Sequence, residues 1–250
     1  MNDQSTVMVL SQTEYKESDA LVKVLSKELG LVTFIAKGLS KINSKNRMGC
    51  LPYGESLFMY DLNELSNLQV LHTAQSLFPN LKIHDDLEKS SIASLIVELS
   101  ELLLKNETDS LIIETYYSYL KQTFDLLSST DQHHHLLAYI LISFLNYYGI
   151  APQVDECVIC GSTQINSIST EEGGFICQNC QKELQSPIYS LEILKDFRVV
   201  GKLNSENITR YLSYQEPPST LIRILVDFLK FHTGHPLKSW EFIEKCSIIK

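Results

Sequence analysis

Two cysteine pairs, Cys157-Val158-Ile159-Cys160 and Cys177-Gln178-Asn179-Cys180, stand sixteen residues apart in a chain of 250 residues that holds six cysteines in all. No other segment constrains the fold as strongly. Each C-x-x-C pair can supply one edge of a tetrahedron, and the short excursion between them can bring the two edges onto one ion. Redox catalysis needs only one such pair, and a disulfide framework needs an oxidising compartment. Residues 1–15, MNDQSTVMVLSQTEY, lack the basic and apolar segments of a secretory signal, and no apolar run reaches the roughly eighteen residues of a membrane span. We therefore expect a cytoplasmic protein with reduced thiols, no membrane association, and one structural Zn2+ on Cys157, Cys160, Cys177 and Cys180. Four thiolates leave no coordination position open for a catalytic water.

A pair of transient redox dithiols is the competing reading of the same four residues. Gly161 suits the tight turn after the first pair, and Gly173-Gly174 suits a hairpin between the pairs. Cys50 and Cys246 fit no ligand pattern and are expected to be buried or semi-buried.

Charge is distributed unevenly. The net charge is -9, which as a bulk property disfavours a polyanionic partner. Yet residues 1–50 carry seven Lys/Arg against five Asp/Glu, and from Leu29 to Cys50 there are four cations, Lys37, Lys41, Lys45 and Arg47, and no acid. Because charges more than about 8–10 Å apart are screened at ordinary salt, such a local patch can bind phosphates on an acidic body. On charge alone these four residues, with Lys23 and Lys27 as an extension of the patch, are candidate phosphate binders, and they become the DNA-binding candidates only through the family resemblance given below. A plain solvated loop is the alternative.

The hydrophobic content of 44% supports well-formed cores. Residues 1–80 read as five short strands, at 7–10, 20–26, 31–37, 56–60 and 68–75, separated by polar or glycine-bearing turns, which suggests a small barrel. In the third strand Val32, Phe34 and Ala36 alternate with Thr33, Ile35 and Lys37, so one face can pack inward while Lys37 emerges at the strand end. Phe34, Phe58 and Tyr60 could stack on bases, but on alternating strands they read as core. Past Pro79 the apolar period lengthens toward 3.6, predicting helices at 86–105, 109–127, 132–148, 190–200, 219–233 and 239–245, with Ser239 as an N-cap. Gly149 and Gly234 end two of them.

His133-His134-His135 cannot converge on one ion, since successive helical residues point about 100° apart, and they read as a solvated helix start. His232 and His235 flank Gly234 and read as capping residues. Nothing points to catalysis: the sequence has no phosphate-binding loop, dinucleotide fingerprint, nucleophile elbow or His-Glu-x-x-His.

In order and spacing the pieces resemble the bacterial RecO family of recombination mediators. The likeness runs through Glu17-Ser18-Asp19-Ala20, Lys27-Glu28-Leu29-Gly30-Leu31, Ala36-Lys37-Gly38 before a basic loop, and Leu51-Pro52-Tyr53. It continues with Tyr148-Gly149-Ile150-Ala151-Pro152 ahead of the cysteines and His232-Thr233-Gly234-His235-Pro236-Leu237-Lys238-Ser239 near the end. The resemblance implies an α+β multidomain protein: an oligonucleotide-binding (OB) barrel over residues 1–80 and an α-helical domain over 81–250 with the zinc module, 153–186, embedded in it. It further implies binding of single- and double-stranded DNA and annealing of complementary strands. RecR and the C-terminal tail of single-stranded DNA-binding protein are implied partners, with RecA served indirectly, at the nucleoid during repair. Arg223, Lys230 and Lys238 are candidate but scattered cations for the acidic tail. A zinc-stabilised protein-interaction scaffold with only weak DNA contact is the rival reading, favoured by the overall acidity.

Overall fold

The computed structural model describes residues 3–63, 65, 66 and 68–246. The chain forms two compact units, residues 1–130 and 131–250.

In the first unit five strands, β1 (Asp3–Tyr15), β2 (Asp19–Ser26), β3 (Gly30–Ala36), β4 (Glu55–Asp61) and β5 (Leu68–Phe78), close into a barrel in the order β1-β2-β3-β5-β4. Only β3 and β5 pair in parallel. This is an OB-like order. Closure depends on β1, which pairs with β4 through residues 3–8 and with β2 through residues 7–15. A shift of register between Val9 and Ser11 lets one strand serve both neighbours. At that bulge the Val9 amide donates to the Gly54 carbonyl at 2.9 Å, and the Tyr53 amide donates to the Val9 carbonyl at 2.7 Å.

The inward set of each strand fills the barrel. Val7, Val9, Val22, Val24, Phe58 and Leu71 surround Phe34, whose ring meets Phe58 and Tyr60 edge-on at 5.2 and 5.1 Å between centroids. All three aromatics are core, as their alternation requires. The opposite face of the early strands is buried too, at Met8, Leu10 and Leu25. That second apolar face is why α1 (Leu87–Leu104) and α2 (Ser110–Ser129) pack against β3 and β1. Asp86 and Asp109, which the periodicity places inside these helices, are their N-caps, each carboxylate accepting from two backbone amides of the first turn.

Glu55, only 8% exposed at the start of β4, would be costly to bury alone. Its carboxylate accepts from the Tyr117 hydroxyl at 2.9 Å and from Lys121 Nζ at 2.6 Å, so two residues one turn apart on α2 fasten that helix to the barrel.

In the second unit α3 (His133–Tyr147) is buried at every position from His135 to Leu145. A helix apolar on all sides belongs in the middle of a bundle. It is followed by β6 (Ile165–Ser169), β7 (Gly174–Cys177), α4 (Gln178–Leu184), α5 (Leu191–Val200), α6 (Ile208–Tyr211), α7 (Ser219–Thr233) and α8 (Lys238–Lys245). Both α5 and α7 pack on α3. Gly149 ends α3 with φ +79°, its amide donating to Asn146 while the Ile150 amide reaches back to Leu145, a complete Schellman stop. Gly234, at φ +68°, likewise closes α7.

Two local expectations are corrected here. Ser239 is not an N-cap: α8 begins at Lys238, after Leu237 in a left-handed conformation. Nor are the histidines at the start of α3 solvated. His135 is buried with Nε2 3.2 Å from the Tyr214 carbonyl, and His134 Nδ1 lies 3.1 Å from the Pro217 carbonyl, so they tie α3 to the segment entering α7. Their side chains reach different partners and do not converge on an ion.

Removing the cation from Glu55 leaves a largely buried carboxylate with one neutral partner at the edge of an open cavity. We expect Lys121→Met to lower the unfolding free energy by about 2 kcal/mol, and adding Glu55→Gln to restore part of it. Urea melts of the two variants measure this; a Lys121→Met midpoint equal to that of the parent would refute it.

Candidate metal centre and nucleic-acid interface

The cysteine module occupies the chain between α3 and α5. The first pair sits in a turn in which the Gly161 amide donates to the Cys157 carbonyl and the Cys157 amide donates to the Ser162 carbonyl, both at 2.9 Å. Gly161 adopts φ +72°, a conformation that favours glycine. The second pair begins at the end of β7, where Cys177 is the N-cap residue of α4, and Cys180 lies on that helix. The β6–β7 hairpin turns through Gly173, at φ +89°, and brings the pairs together.

All four sulfurs lie within 4.8 Å of one another, and Cys160 and Cys177 approach to 3.5 Å. A tetrahedral ion with ~2.3 Å bonds to sulfur sets its ligands roughly 3.8 Å apart. The four cysteines therefore lie close enough to bind one metal ion. Burial pushes the Cys157 thiol up, but the backbone amides of Cys177, Cys160 and Ile159 outweigh it and bring it down to about 6. The Cys180 amide draws Cys177 down as well. The other two move oppositely: the Ser162 backbone draws Cys160 down, yet Cys177 and Cys157 leave it raised, and burial together with the neighbouring thiols raises Cys180. The opposed shifts show that burial and the crowding of four thiols work against ionising all of them together, a conflict that a divalent cation would remove.

The module is held firmly to the helices of its own unit. The Gln153 amide donates to the Gly173 carbonyl at 2.9 Å and the Gln153 carbonyl accepts from the Phe175 amide at 3.0 Å, and an added Cβ on Gly174 would stand 2.3 Å from the Gln153 carbonyl oxygen. Phe175 packs on Phe197 of α5, which packs on Phe228 of α7. Arg198 of α5 donates to the Val154 and Asp155 carbonyls at 2.8 and 3.1 Å, and Lys202 pairs with Asp155 at 2.6 Å. His232 does not cap α7; its Nε2 lies 2.8 Å from the Thr170 carbonyl on the hairpin turn. Of the two cysteines outside the cluster, Cys50 is buried in the barrel, where burial pushes its thiol up to about 12. Cys246 is exposed, contrary to the expectation of at least partial burial.

Lys37, Lys41, Lys45 and Arg47 are all exposed on the segment linking β3 to β4, a chain of turns anchored at both ends. Leu39 and Cys50 are buried in the barrel core. Between them the Asn46 side chain donates to the His72 carbonyl at 3.1 Å and accepts from the Ala74 amide at 3.0 Å, imitating a strand partner for β5. Gly49 lies against Ala74 so closely that an added Cβ would be 2.5 Å from its backbone. The Ser40 amide donates to the Ser18 carbonyl, which sets the loop beside the β1–β2 turn. That turn carries Lys16, whose Nζ lies over the Tyr15 ring, together with the acids Glu17 and Asp19, the last accepting from the Gly38 amide at 2.8 Å.

Lys23 and Lys27 do not extend the patch. Lys23 pairs with Glu101 of α1 at 2.8 Å, and Lys27 lies in the β2–β3 turn, at the other end of β2, over the ring of Tyr117.

A second feature escaped the sequence. Between the β6–β7 hairpin and α5 lies a cavity of about 370 Å³ lined by Ile165, Phe175, Leu191 and Leu194, with Lys195 and Arg198 among its walls. Glu192 and Asp196 of the same helix are not among the lining residues. Leu191 is 65% exposed at its edge. Of the scattered cations considered from sequence, Arg223 is instead within 3.9 Å of Glu244.

Comparison with known proteins bears on both halves of the chain. Residues 1–79 match the family model described as recombination protein O N terminal, and residues 84–241 match that described as recombination protein O C terminal. Among similar proteins, one named DNA repair protein RecO from Lactobacillus delbrueckii subsp. bulgaricus is 28% identical over 69% of this chain and 68% of its own length. Proteins of the same name from Latilactobacillus sakei subsp. sakei and Halalkalibacterium halodurans are 26% and 22% identical, each across 95% of this chain and 87% and 92% of their own lengths. With the OB-like barrel falling inside the first match and the four-cysteine cluster inside the second, the chain belongs to the recombination protein O (RecO) family.

Proposed function

We propose that this protein is a recombination mediator in DNA repair, working by binding rather than by catalysis. In this reading residues 1–80 are the OB-fold DNA-binding domain and residues 81–250 a helical partner-binding domain with the zinc module, 153–186, inserted. The observation that carries the DNA contact is the anchored loop, whose four cations all face solvent at one end of an OB-like barrel. Cations on a fixed loop neutralise backbone phosphates without reading sequence. Lowering the phosphate charge on two strands at once also lowers the repulsion that opposes their annealing. Single- and double-stranded DNA are the proposed ligands, and RecR and RecA the proposed downstream partners in the cytoplasm, with any nucleotide chemistry supplied by the partners.

Cys157, Cys160, Cys177 and Cys180 would hold one Zn2+, which would cross-link the two ends of the module. With four thiolate ligands it would be structural. The cationic, apolar-lined cavity beside α5 is our candidate for the acidic C-terminal tail of single-stranded DNA-binding protein: apolar walls for the end of a peptide, Lys195 and Arg198 for its carboxylates. The net charge of -9 favours the rival reading, a zinc-stapled scaffold with weak DNA contact.

Three measurements test these assignments. Replacing Lys37, Lys41, Lys45 and Arg47 by Glu should abolish binding of labelled single strands, and the parent should show a log-affinity against log-salt slope of about -3, from four contacts at ~0.7 each; affinity independent of salt, or intact in the variant, leaves the scaffold. Elemental analysis should find one zinc per chain, lost in Cys157→Ala together with the fold of the module; equal zinc in both proteins refutes the site. In titrations with a fluorescent acidic peptide ending in an apolar residue, Lys195→Glu should weaken binding about tenfold, the scale of one close charge pair; unchanged affinity would place the tail elsewhere.

A further inference from the structure

The middle of the basic loop carries a residue that phosphate binding does not require. Ile42 follows Lys41 directly and is 86% exposed; among the described large apolar side chains only Leu65 is more so. It is the first central residue of the turn in which the Ser44 amide donates to the Lys41 carbonyl at 3.1 Å, so it stands at an apex. Its exposure does not come from a slack segment. Leu39 on one side and Asn46, Gly49 and Cys50 on the other fasten the loop to the barrel.

We infer that Ile42 is an apolar wedge that enters between adjacent bases of duplex DNA while the neighbouring cations hold the phosphates. The inference rests on the loop being the DNA contact proposed above. Aliphatic side chains flanked by Lys, Arg and Asn are the composition that proteins use to part base steps from the minor groove, partly unstacking them and kinking the duplex. Lys41, Asn43, Lys45 and Arg47 supply those flanking groups. Aromatic stacking, the usual mode for single strands, is closed to Phe34, Phe58 and Tyr60, which are sealed in the core, while Tyr15 and Phe78, at the ends of β1 and β5, each carry a lysine over the ring, Lys16 and Lys121. Bases loosened at the loop would be poised for exchange with an incoming strand.

The test uses the full-length protein and a duplex containing 2-aminopurine, whose fluorescence rises when it is unstacked. The parent should raise the signal, and Ile42→Ala should remove the rise and lower duplex affinity about tenfold, the scale of re-exposing one branched aliphatic side chain. Ile42→Leu should restore both, and the slope of affinity with salt should be the same in all three proteins. If Ile42→Ala keeps both affinity and signal while the four-cation variant loses binding, the loop remains the DNA contact and the wedge is overturned. If the four-cation variant also binds normally, the loop reading fails and the wedge fails with it. Because Ile42 is exposed, the substitutions leave the barrel core intact, and matching thermal melts verify this.

Discussion

A sheet of five strands becomes a barrel only if one strand can satisfy backbone partners on both of its edges, and here that burden falls on β1. Its bulge at Leu10 bends the strand so that the first half completes a ladder with β4 and the second half a ladder with β2. The geometry near the mouth follows. The Tyr53-Gly54 segment joins β1 at the bulge, the β1–β2 turn comes alongside the β3–β4 connection, and the cations of that connection are presented at one end of the barrel. The same strand is apolar on both faces, which draws α2 onto the outside of the barrel, with α1 beside it against β3.

The second unit solves a different problem. Two short strands and a seven-residue helix bury too little to hold themselves together. The cysteine cluster gives the module an inner staple, while Phe175, Arg198 and His232 give it outer ones, reaching the helices on which it rests. Cysteine cluster and packing therefore act at different levels: the sulfurs gather at the base of the hairpin, and the aromatic chain from Phe175 to Phe228 sets its place on the bundle.

Much of this was legible in the chain. The five strands and the six long helices announce themselves through alternation, 3.6-residue periodicity and punctuating glycines, and the clustering of the four cysteines through spacing alone. What was not legible depends on groups distant in sequence. The caps at Asp86 and Asp109 are the exception, since each accepts from amides two and three residues on and an Asp ahead of an apolar run is a local cap signal, whereas no local pattern shows that His134 and His135 face carbonyls some eighty positions away. Lys23 and Lys27 share the chemistry of the loop cations, and only the fold separates them: Lys23, mid-strand on β2, is taken by Glu101 of α1, and Lys27 follows the end of β2 opposite to the β1–β2 turn. The cavity beside α5 was hidden for the same reason: its walls come from a hairpin and a helix that meet only in the folded unit.

The fastening of the basic loop has an implication for how such proteins diversify. Every attachment to the barrel core or to β5 is made by Leu39, Asn46, Gly49 or Cys50, leaving the stretch from Ser40 to Lys45 with no side chain committed to the scaffold. Natural variants can therefore lengthen, shorten or recharge that stretch as an exchangeable cassette, retuning what the mouth of the barrel grips without renegotiating the stability of the domain beneath it.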